Sequence, residues 1–593
     1  MKTKQTFLKA FASAALAIGA FATAEAQTNL GASCGCPAVG SRTEVIVSSL
    51  PGYTAISGTY GGELTTGATF TCDKTYILDK KIYIPAGQTL TIAPGTLIKG
   101  ATNPIANPEQ ATALIIERGG RIIASGTESC PIVFTAQADP MDGTYSISNT
   151  GKWGGVVLLG KATNNLTYAA NGPFTVSAGN GKLAAADGLG VVEGFATSNS
   201  QDRFGVMLNN NNPVAGETVG TFDDNDNSGI MKYISIRHTG AILAVGAEIN
   251  GLTLGSVGRA TTIEHIEIVS CGDDNIELFG GTVNIKYIST LFGNDDMIDW
   301  DLGWSGKAQF IFGMKSDLTS SPDADNGFEM DSDDQKSNNT PYSHPVIYNA
   351  TLIGNAKVNK TSDNSGVAAI QAKEFTGGEI YNSIFANFNV GMNLVKSISG
   401  TRSYAAGGEA WHNWTNIAGP ASATAGNGTQ SLKVICNTFV GCNNPLYNNV
   451  AYATVGQPIS GGTAITSGVD FTQFTVTDKN DIVAGNALPG FDYSFTANTT
   501  TNAFTAKNDV TPNPALSVSG CPVAPFDGFF EPASYRGAFS SVNGENWLSN
   551  WTYSQVLNAT KGVRSCATDL NLDGTTDVND FLIFAPAFGT SCN

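Results

Sequence analysis

One segment of the chain repeats itself every twenty-two residues, and this repeat restricts the folds that the chain can adopt. A pair of short acidic or amide residues is followed three positions later by another acid. This pattern occurs at Asp273/Asp274/Glu277, at Asp295/Asp296/Asp299 and, displaced by an insertion, at Asp325/Asn326/Glu329. A fixed period near twenty residues is typical of a solenoid, in which each repeat buries its apolar side only by stacking on its neighbours.

Within each copy the later acid stands between two apolar residues, as in the segment 276–278. A β-strand directs successive side chains to opposite faces, so the apolar pair is expected inside the coil and the acid outside. Glu277, Asp299 and Glu329 then form a column of like charges, which is destabilising unless something neutralises it. We expect a bound cation, raised carboxyl pKa values or a polar ligand. Two neutral residues continue the column, Gln371 and Asn393.

The rest of the chain also has the composition of strands and turns. Charged residues make up only 14% of the chain, whereas glycine contributes 68 of its 593 residues. Such a composition suits turns and strands better than helices. From Thr75 onward, short β-branched runs are divided by Pro-Gly and Gly-Gly turns. The sequence therefore predicts an all-β protein.

Several of these segments resemble a known family. The run from Thr75, KWGGV at 152–156, CGDDNIELFGGTVNIKY at 271–287 and YRGAF at 535–539 are similar to right-handed parallel β-helix proteins on the surfaces of Bacteroidota-type bacteria. The resemblance implies a right-handed parallel β-helix. We divide the chain into a leader at 1–26, an N-terminal segment at 27–70, a parallel β-helix with inserted loops at 71–555 and a small module at 561–593.

The first 26 residues have the pattern of a secretory signal peptide. Lys2, Lys4 and Lys9 give a basic start, 11–21 is a short apolar core, and Ala24-Glu25-Ala26 is a small-x-small cleavage site. Removing this leader changes the formal net charge from −18 to −20, which argues against nucleic acid and anionic membranes as partners. No later apolar run approaches membrane-spanning length. We expect a secreted or extracellular surface protein with a glycan or cell-surface partner.

Ten cysteines in an exported chain indicate disulfide bonds. Cys436/Cys442 and Cys566/Cys592 are candidate local pairs, and the sequence alone does not fix the connectivity. Cys34 and Cys36 are interpreted as contributors to disulfides near the N-terminus rather than as metal ligands.

A twelve-residue calcium loop is predicted near the C-terminus. Oxygen-bearing side chains stand at positions 1, 3, 5, 9 and 12, Gly574 allows the sharp turn at position 6, and position 7 offers its backbone carbonyl. The predicted Ca²⁺ ligands are Asp569, Asn571, Asp573, Thr575, Asp577 and Asp580. The segment resembles one half of a dockerin, which implies a small EF-hand-like module. Dockerins carry two such repeats and this chain has one, and Pro586 would break the following helix, which argues against a cohesin-type partner.

The segment 271–276 is also similar to the Gly-Asp-Asp-x-Ile segment of polygalacturonase-type β-helix hydrolases. That resemblance implies catalytic carboxylates, for which the candidates are Asp273, Asp274, Asp295, Asp296 and Asp299. The Gly-His-Gly and Arg-Ile-Lys motifs of those enzymes do not occur in this chain. A lyase would need a lysine or arginine base beside calcium-binding acids, and Arg237 is the candidate for that role.

Three interpretations of the column Glu277, Asp299 and Glu329 follow: cation sites that stiffen the coil, a glycan-binding face, or catalytic carboxylates. We favour a calcium-stabilised structural, adhesive or glycan-binding protein over an enzyme. The alternative is a polysaccharide hydrolase or lyase.

Two smaller expectations concern aromatic residues and histidine. Trp411, His412 and Trp414 form either an exposed platform for sugars or, by preference, a group packed under a loop. His265 is expected to be an ordinary surface residue on a strand.

Chelation of Ca²⁺ should lower the melting temperature of the protein and loosen residues 569 to 580, because the loop depends on the ion for its fold. Melting curves and limited proteolysis with and without a chelator measure both effects. Unchanged melting together with unchanged protease resistance would contradict the calcium loop.

Overall fold

Stacked parallel strands build the chain into a β-helix, as the repeat predicts. The structure is a computed structural model, and it describes residues 27–102, 110–168, 183–192, 195, 199–244, 247–315, 326–332, 339–355, 367–373, 376–395, 432–449, 463–467, 471–493, 510–512, 515–540 and 546–556. Within these ranges nearly all regular structure is strand, and the helices are short. Those helices are Ala32–Cys34, Val39–Ser41, Val47–Ser49, Ser200–Asp202, Gln473–Thr477 and Tyr553–Val556.

Two large sheets form the walls of the coil. Sheet 1 contains the strands Thr43–Ile46, Ala68–Phe70, Lys74–Leu78, Thr89–Ile92, Leu97–Gly100, Arg121–Ser125, Ile132–Ala136, Gly229–Arg237, Thr262–Val269, Asn284–Leu291, Lys307–Met314, Val346–Ile353, Gly378–Tyr381, Ile384–Ala386, Leu432–Ile435, Thr438–Val440 and Asp481–Val483. Sheet 2 contains Tyr53–Ala55, Gly61–Leu64, Lys81–Ile84, Ala113–Ile116, Val156–Leu159, Leu252–Gly255, Ile276–Phe279, Ile298–Asp301, Phe328–Met330, Ala368–Ala372, Val390–Val395, Asn444–Asn449 and Thr463–Ala464.

Smaller antiparallel sheets interrupt the coil in two places. One consists of Leu183–Ala186, Leu189–Val191 and Arg203–Gly205, and the other of Ile242–Ala244 and Ala247–Glu248. Apart from the antiparallel strands Tyr53–Ala55 and Thr463–Ala464 at the two ends of sheet 2, the pairs within the large sheets are parallel. Consecutive coils therefore hydrogen-bond to one another along their length.

The sequence repeat corresponds to the register between coils. Ile276 pairs with Ile298, which pairs with Phe328 and then with Ile370. These four side chains are at most 1% exposed and belong to the apolar core inside the coil. Each coil thus buries its apolar stripe against the coils before and after it, which fixes the phase of the strands.

Two glycines make the turn that follows the strand Ile276–Phe279 compact. Gly280 and Gly281 have φ values of 66° and 88°, in the left-handed region that favours glycine. A Cβ atom on Gly281 would lie 2.6 Å from the carbonyl oxygen of Val257. The turn between sheet 2 and the next strand of sheet 1 therefore requires glycine at this position.

Strands of sheet 1 bend at a residue that adopts positive φ without being glycine. The bend residues stack from coil to coil, because the pairs on both sides of them are in register. This bend column is Tyr233, His265, Tyr287, Phe310, Asn349 and Asn382, with φ between 50° and 59°. The ring of His265 lies between those of Tyr233 and Tyr287, with centroids 4.2 and 4.3 Å away. The prediction that His265 is ordinary surface is therefore wrong, because the bend turns its side chain into an aromatic stack and leaves it 8% exposed.

A C-terminal strap, defined by residues 515–540 and 546–556, runs back along the outside of sheet 1 toward earlier coils. Asn382 and Asn349 donate side-chain hydrogen bonds to the Pro522 and Tyr535 carbonyls at 2.9 and 2.8 Å. Farther along the strap, the indole of Trp551 meets Tyr233 and His265 edge-on. The strap therefore covers the bend column.

The carboxylate of Glu267 anchors the end of the strap. It accepts the backbone N–H groups of Tyr553 at 2.7 Å and Ser554 at 2.9 Å, and it also accepts the Ser235 hydroxyl at 2.7 Å. Glu267 is fully buried, and burial is the main cause that raises its pKa, opposed by Arg237.

Disulfides hold the coil at both ends. Cys34 bonds Cys130 and Cys36 bonds Cys72, so the expectation for the N-terminal cysteines is confirmed. The predicted Cys436–Cys442 pair is wrong, because Cys436 bonds Cys521 of the strap and Cys442 is a free thiol. Five residues of largely extended chain lie between the predicted partners and separate them by roughly 15–20 Å, well beyond the reach of a disulfide. The predicted pair Cys566/Cys592 lies outside the described residues.

No helix in the described ranges is long and apolar enough to cross a membrane. The disulfides are typical of proteins that mature outside the cytoplasm.

Replacing Glu267 with alanine should release the end of the strap, because two backbone N–H groups and the Arg237 guanidinium lose a buried acceptor or counter-charge. We expect the free energy of unfolding to fall by about 2–4 kcal/mol, together with faster proteolysis near Trp551. Denaturant melts and limited proteolysis measure the two effects. Arg259→Ala is the control, since it removes an exposed ion pair to Asp224 worth about 0–1 kcal/mol. Equal behaviour of the two variants would contradict the anchoring role.

Candidate functional site

The acidic column lies on the outer face of sheet 2, and its members are in register. Glu277 pairs with Asp299, Asp299 with Glu329, and Glu329 with Gln371. Gln371 pairs in turn with Asn393, so the predicted alignment of the column is confirmed. The side chains are not exposed as a flat acidic face, however: Glu277 is 3% and Asp299 is 7% exposed.

At the later end of the column, neighbouring side chains neutralise part of the negative charge or form hydrogen bonds to it. The ammonium group of Lys373 forms ion pairs with Glu329 and, at 3.1 Å, with Asp331. The Gln371 amide donates to Glu329 at 3.3 Å and accepts from Asn393 at 3.2 Å. The neutral residues and the lysine thus form one hydrogen-bonded row beside the acids.

At its earlier end the column lies next to aspartates of the turns that precede the strands Ile276–Phe279 and Ile298–Asp301. The carboxylates converge there. One group consists of Asp273, Asp274 and Asp295, and a second of Asp274, Glu277 and Asp299. In each group one oxygen from every carboxylate lies within 4.8 Å of the others. Asp274 belongs to both groups, so the five acids form one continuous cluster, which we call the carboxylate cluster.

A second row of side chains, which includes Asp274 and Asp296, forms hydrogen bonds from one coil to the backbone of the next. Asp274 Oδ1 accepts the backbone N–H of Asp296 at 2.8 Å, and Asp296 Oδ1 accepts that of Asn326 at 2.5 Å. Asn326 Oδ1 accepts the N–H of Ala368 at 3.0 Å. Each side chain therefore caps the backbone of the next coil, and an asparagine performs this role as well as an aspartate.

Burial and like charges act together on Asp274. Removal from water raises the pKa of this carboxyl well above its ordinary range, and Asp273, Asp296, Asp299 and Asp295 raise it further. The cluster therefore favours any positive group that can approach it, by the electrostatics of buried like charges.

Asn250 is a member of this site that the sequence reasoning missed. Its Nδ2 donates to Glu277, whereas its Oδ1 is buried and has no hydrogen-bond partner within the described part of the chain. Asn250 is 1% exposed and stands one coil before Asp274, in the same row, because Leu252 pairs with Ile276. The interval of twenty-four residues could have identified it. An amide oxygen without a donor beside carboxylates fits a set of hard oxygen ligands for a metal cation.

Two lysines are also found only from the structure. Lys373 follows Gln371 by two residues, which places it opposite Asp331 in the preceding coil. The ammonium group of Lys315, a buried residue, donates to the Asp295 carbonyl oxygen. A buried lysine and a partly exposed lysine beside clustered acids indicate that the charge of this region is balanced internally in part.

Other predicted site residues are not part of the cluster. Arg237, the candidate base, is 3% exposed on sheet 1, where it donates to Ser235 and Gln27 at 2.9 Å each. It is therefore used in packing and does not serve the acids, which corrects that expectation. The calcium-loop ligands 569–580, the aromatic group 411–414 and Asp325 lie outside the described residues.

A separate group of acids, around the buried Asp202, lies among the earlier coils, and sequence reasoning did not find it. Asp202 accepts hydrogen bonds from the Tyr83 hydroxyl at 2.9 Å and the Asn199 amide at 2.8 Å. Burial raises the pKa of Asp202 to about 6. Burial, together with Glu63 and Asp202, raises the pKa of Glu117 to about 8. No repeat connects these residues in the sequence, since an inserted loop supplies Asp202.

Comparison with known families agrees with this architecture. The family described as a pectate-lyase-like beta helix domain matches residues 62–193 and 170–418, which together exceed half of the chain. The chain belongs to this pectate-lyase-like β-helix family. The family fits a polysaccharide-related protein, and with the disulfides it indicates an extracellular one. Comparison with curated proteins gives no match.

Glu117→Gln should make the free energy of unfolding less dependent on pH. A carboxyl whose pKa is raised from 4.5 to about 8 in the fold contributes stability that is fully present below the ordinary value and lost as the pH rises through about 8. Urea midpoints between pH 5 and pH 9 should therefore decline more steeply for the unchanged protein than for the glutamine variant. Glu44→Gln, at an exposed position, should keep the steeper decline. Parallel curves for the unchanged protein and Glu117→Gln would show that Glu117 is ionised throughout.

Proposed function

We propose that this protein is an extracellular, calcium-stabilised β-helix that binds a polysaccharide without cleaving it. The carboxylate cluster holds one divalent cation, and the adjoining face of sheet 2 contacts the glycan. The observation that carries the proposal is the convergence of two three-carboxylate groups on Asp274, next to the unpartnered oxygen of Asn250.

Calcium suits this set of ligands better than other common cations. Ca²⁺ takes six to eight oxygen ligands at about 2.3–2.6 Å and tolerates irregular geometry. The cluster offers carboxylates and an amide oxygen, with no thiol or imidazole among them. Asp273, Asp274, Asp295, Glu277 and Asp299 would supply the charge, with Asn250 as a neutral ligand. The C-terminal loop 569–580 would provide a second, separate calcium site.

Two observations favour binding over catalysis. Asp274 and Asp296 each use an oxygen to cap the next coil. Glu277 is fixed by the Asn250 amide. These carboxylates are therefore engaged in holding the coil.

A polysaccharide lyase is the second candidate, and Lys373 is the observation that favours it. A lyase needs a base beside acids that hold calcium, and the Lys373 ammonium lies 3.1 Å from Asp331, beside the acidic column. Its two ion pairs stabilise the protonated form, which a base must give up. We therefore rank this function below binding.

Calcium titration of carboxylate variants tests the cation site. Asp274→Asn keeps the acceptor for the Asp296 N–H and removes one charge, and Glu277→Gln copies the residue found at Gln371. We expect each variant to weaken calcium binding at least about tenfold and the number of bound ions per chain to fall by one. Glu379→Gln, an acid on sheet 1 paired with Lys433, is the matched control. An unchanged number of ions in both cluster variants would contradict the proposal.

Incubation with a panel of polysaccharides, with and without calcium, tests the binding function. We expect retention of at least one glycan and no release of reducing or unsaturated ends. Product release that is lost in Asp274→Asn would establish an enzyme instead. Release of unsaturated ends that is lost in Lys373→Ala would identify a lyase.

A further inference from the structure

The strap carries a short apolar tip, defined by Val523 and Phe526, that is exposed to solvent. Phe526 is 92% exposed and Val523 is 65% exposed. The two other phenylalanines of this segment are placed differently: Phe530 is 4% exposed and packs edge-on against Tyr348, and Phe529 is partly buried beside them. One exposed apolar side chain is ordinary on a protein surface, so the meaning of Phe526 depends on how firmly the loop holds it.

The residue that follows Phe526 fixes the loop. Asp527 Oδ1 accepts the backbone N–H groups of Phe529 at 3.0 Å and Phe530 at 3.2 Å. The same carboxylate forms an ion pair with Lys307 of sheet 1. The loop is therefore closed on itself and also tied to the coil beneath it.

Further contacts hold the strap on both sides of the loop. Before it, Cys521 bonds Cys436. After it, the backbone N–H of Glu531 donates to Gln309 Oε1 at 2.7 Å, and Gln309 Nε2 donates to the Glu531 carbonyl oxygen at 2.8 Å. A side chain presented by a rigid loop loses little conformational freedom when it binds a ligand. The structure therefore presents Phe526 in a preorganised position.

Sheet 1 places a row of side chains beside the loop, which we call the lysine row. Lys307 pairs with Val346, and Val346 pairs with Glu379. Glu379 pairs in turn with Lys433. These four side chains point outward, because the next residue of each strand belongs to the apolar core. The side chains of Lys307 and Lys433 are 35% and 33% exposed. Since the residue after Phe526 binds Lys307, the tip stands at the edge of the row.

The charges next to the tip balance one another. Lys307 is paired with Asp527, and Lys433 lies 2.6 Å from Glu379, which also contacts His344 Nε2 at 3.4 Å. This surface is therefore close to neutral, on a chain whose formal net charge is −18. A polyanion gains little from such a surface and is repelled by the chain as a whole. Ammonium groups that keep part of their surface exposed suit the oxygen atoms of an uncharged ligand.

We propose that the apolar tip and the lysine row form a binding surface for a neutral polysaccharide, separate from the carboxylate cluster. The ring of Phe526 packs against the C–H groups on one face of a sugar ring, and Lys307 and Lys433 donate hydrogen bonds to sugar oxygens. The exposed apolar area is confined to a few side chains, which is small beside the roughly 800 Å² per partner of a stable protein–protein interface. A slender chain therefore fits this surface better than a second protein. The inference rests on the proposed glycan-binding function, to which it adds a second surface and the charge class of the glycan.

Native affinity electrophoresis of the full chain tests the proposal, with a soluble glucan, a xylan and a mannan as neutral probes and polygalacturonate as the acidic probe. We expect at least one neutral probe to retard the unchanged protein. Phe526→Ala should weaken this binding about tenfold, whereas Phe526→Trp should retain it. Val476→Ala, at another apolar position that is 68% exposed, is the matched control and should bind like the unchanged protein. Because both side chains are exposed, these variants should keep the melting temperature of the unchanged protein.

Salt provides a second readout of the charge class. Raising the NaCl concentration from about 0.05 M to about 0.5 M should change the dissociation constant less than about twofold, since screening acts on net charge. Retardation by polygalacturonate alone, a strong salt dependence, or equal retardation of Phe526→Ala and the unchanged protein would overturn this inference and leave the glycan-binding function in place. Absence of retardation by every probe would contradict both.

Discussion

Parallel backbone hydrogen bonding between coils is the constraint on which the rest of this structure depends. Strands that pair in register place equivalent residues of successive repeats about 4.8 Å apart, whatever their charge. For Ile276, Ile298 and Phe328 this stacking builds the apolar core. On the opposite face the same spacing forces Glu277 next to Asp299. The acidic column is therefore a consequence of the register that packs the core.

The repulsion between these stacked carboxylates is reduced in three different ways along the column. At the later end, neutral amides replace the acids and Lys373 supplies a counter-charge. In the turns that precede the strands of sheet 2, carboxylate oxygens of Asp274 and Asp296 accept hydrogen bonds from backbone N–H groups of the next coil. At the earlier end, carboxylates gather beside Asn250, in an arrangement that suits a cation. Function, in our proposal, uses this earlier end of the column.

The strap gives the solenoid a second level of closure. A simple coil joins each repeat only to its neighbours, so its ends can fray independently. Here the chain returns along sheet 1, from the Cys436–Cys521 disulfide to the Glu267 carboxylate, and covers the bend column as it goes. Gln27 and Tyr553 of the strap both contact Arg237, so one strand of sheet 1 joins the beginning of the described chain to the strap.

Local pattern alone determined the solenoid, its strand phase and the alignment of Glu277, Asp299 and Glu329, because these depend on period and alternation, which are written directly in the sequence. Only the tertiary structure decided the burial of those acids, the place of His265 in an aromatic stack and the partner of Cys436. It also revealed Asn250, Lys373 and Asp202 beside carboxyl groups. The physical reason is that these contacts are made by inserted segments, by bends in the strands and by the strap. The length of an inserted segment does not specify which coil it will contact.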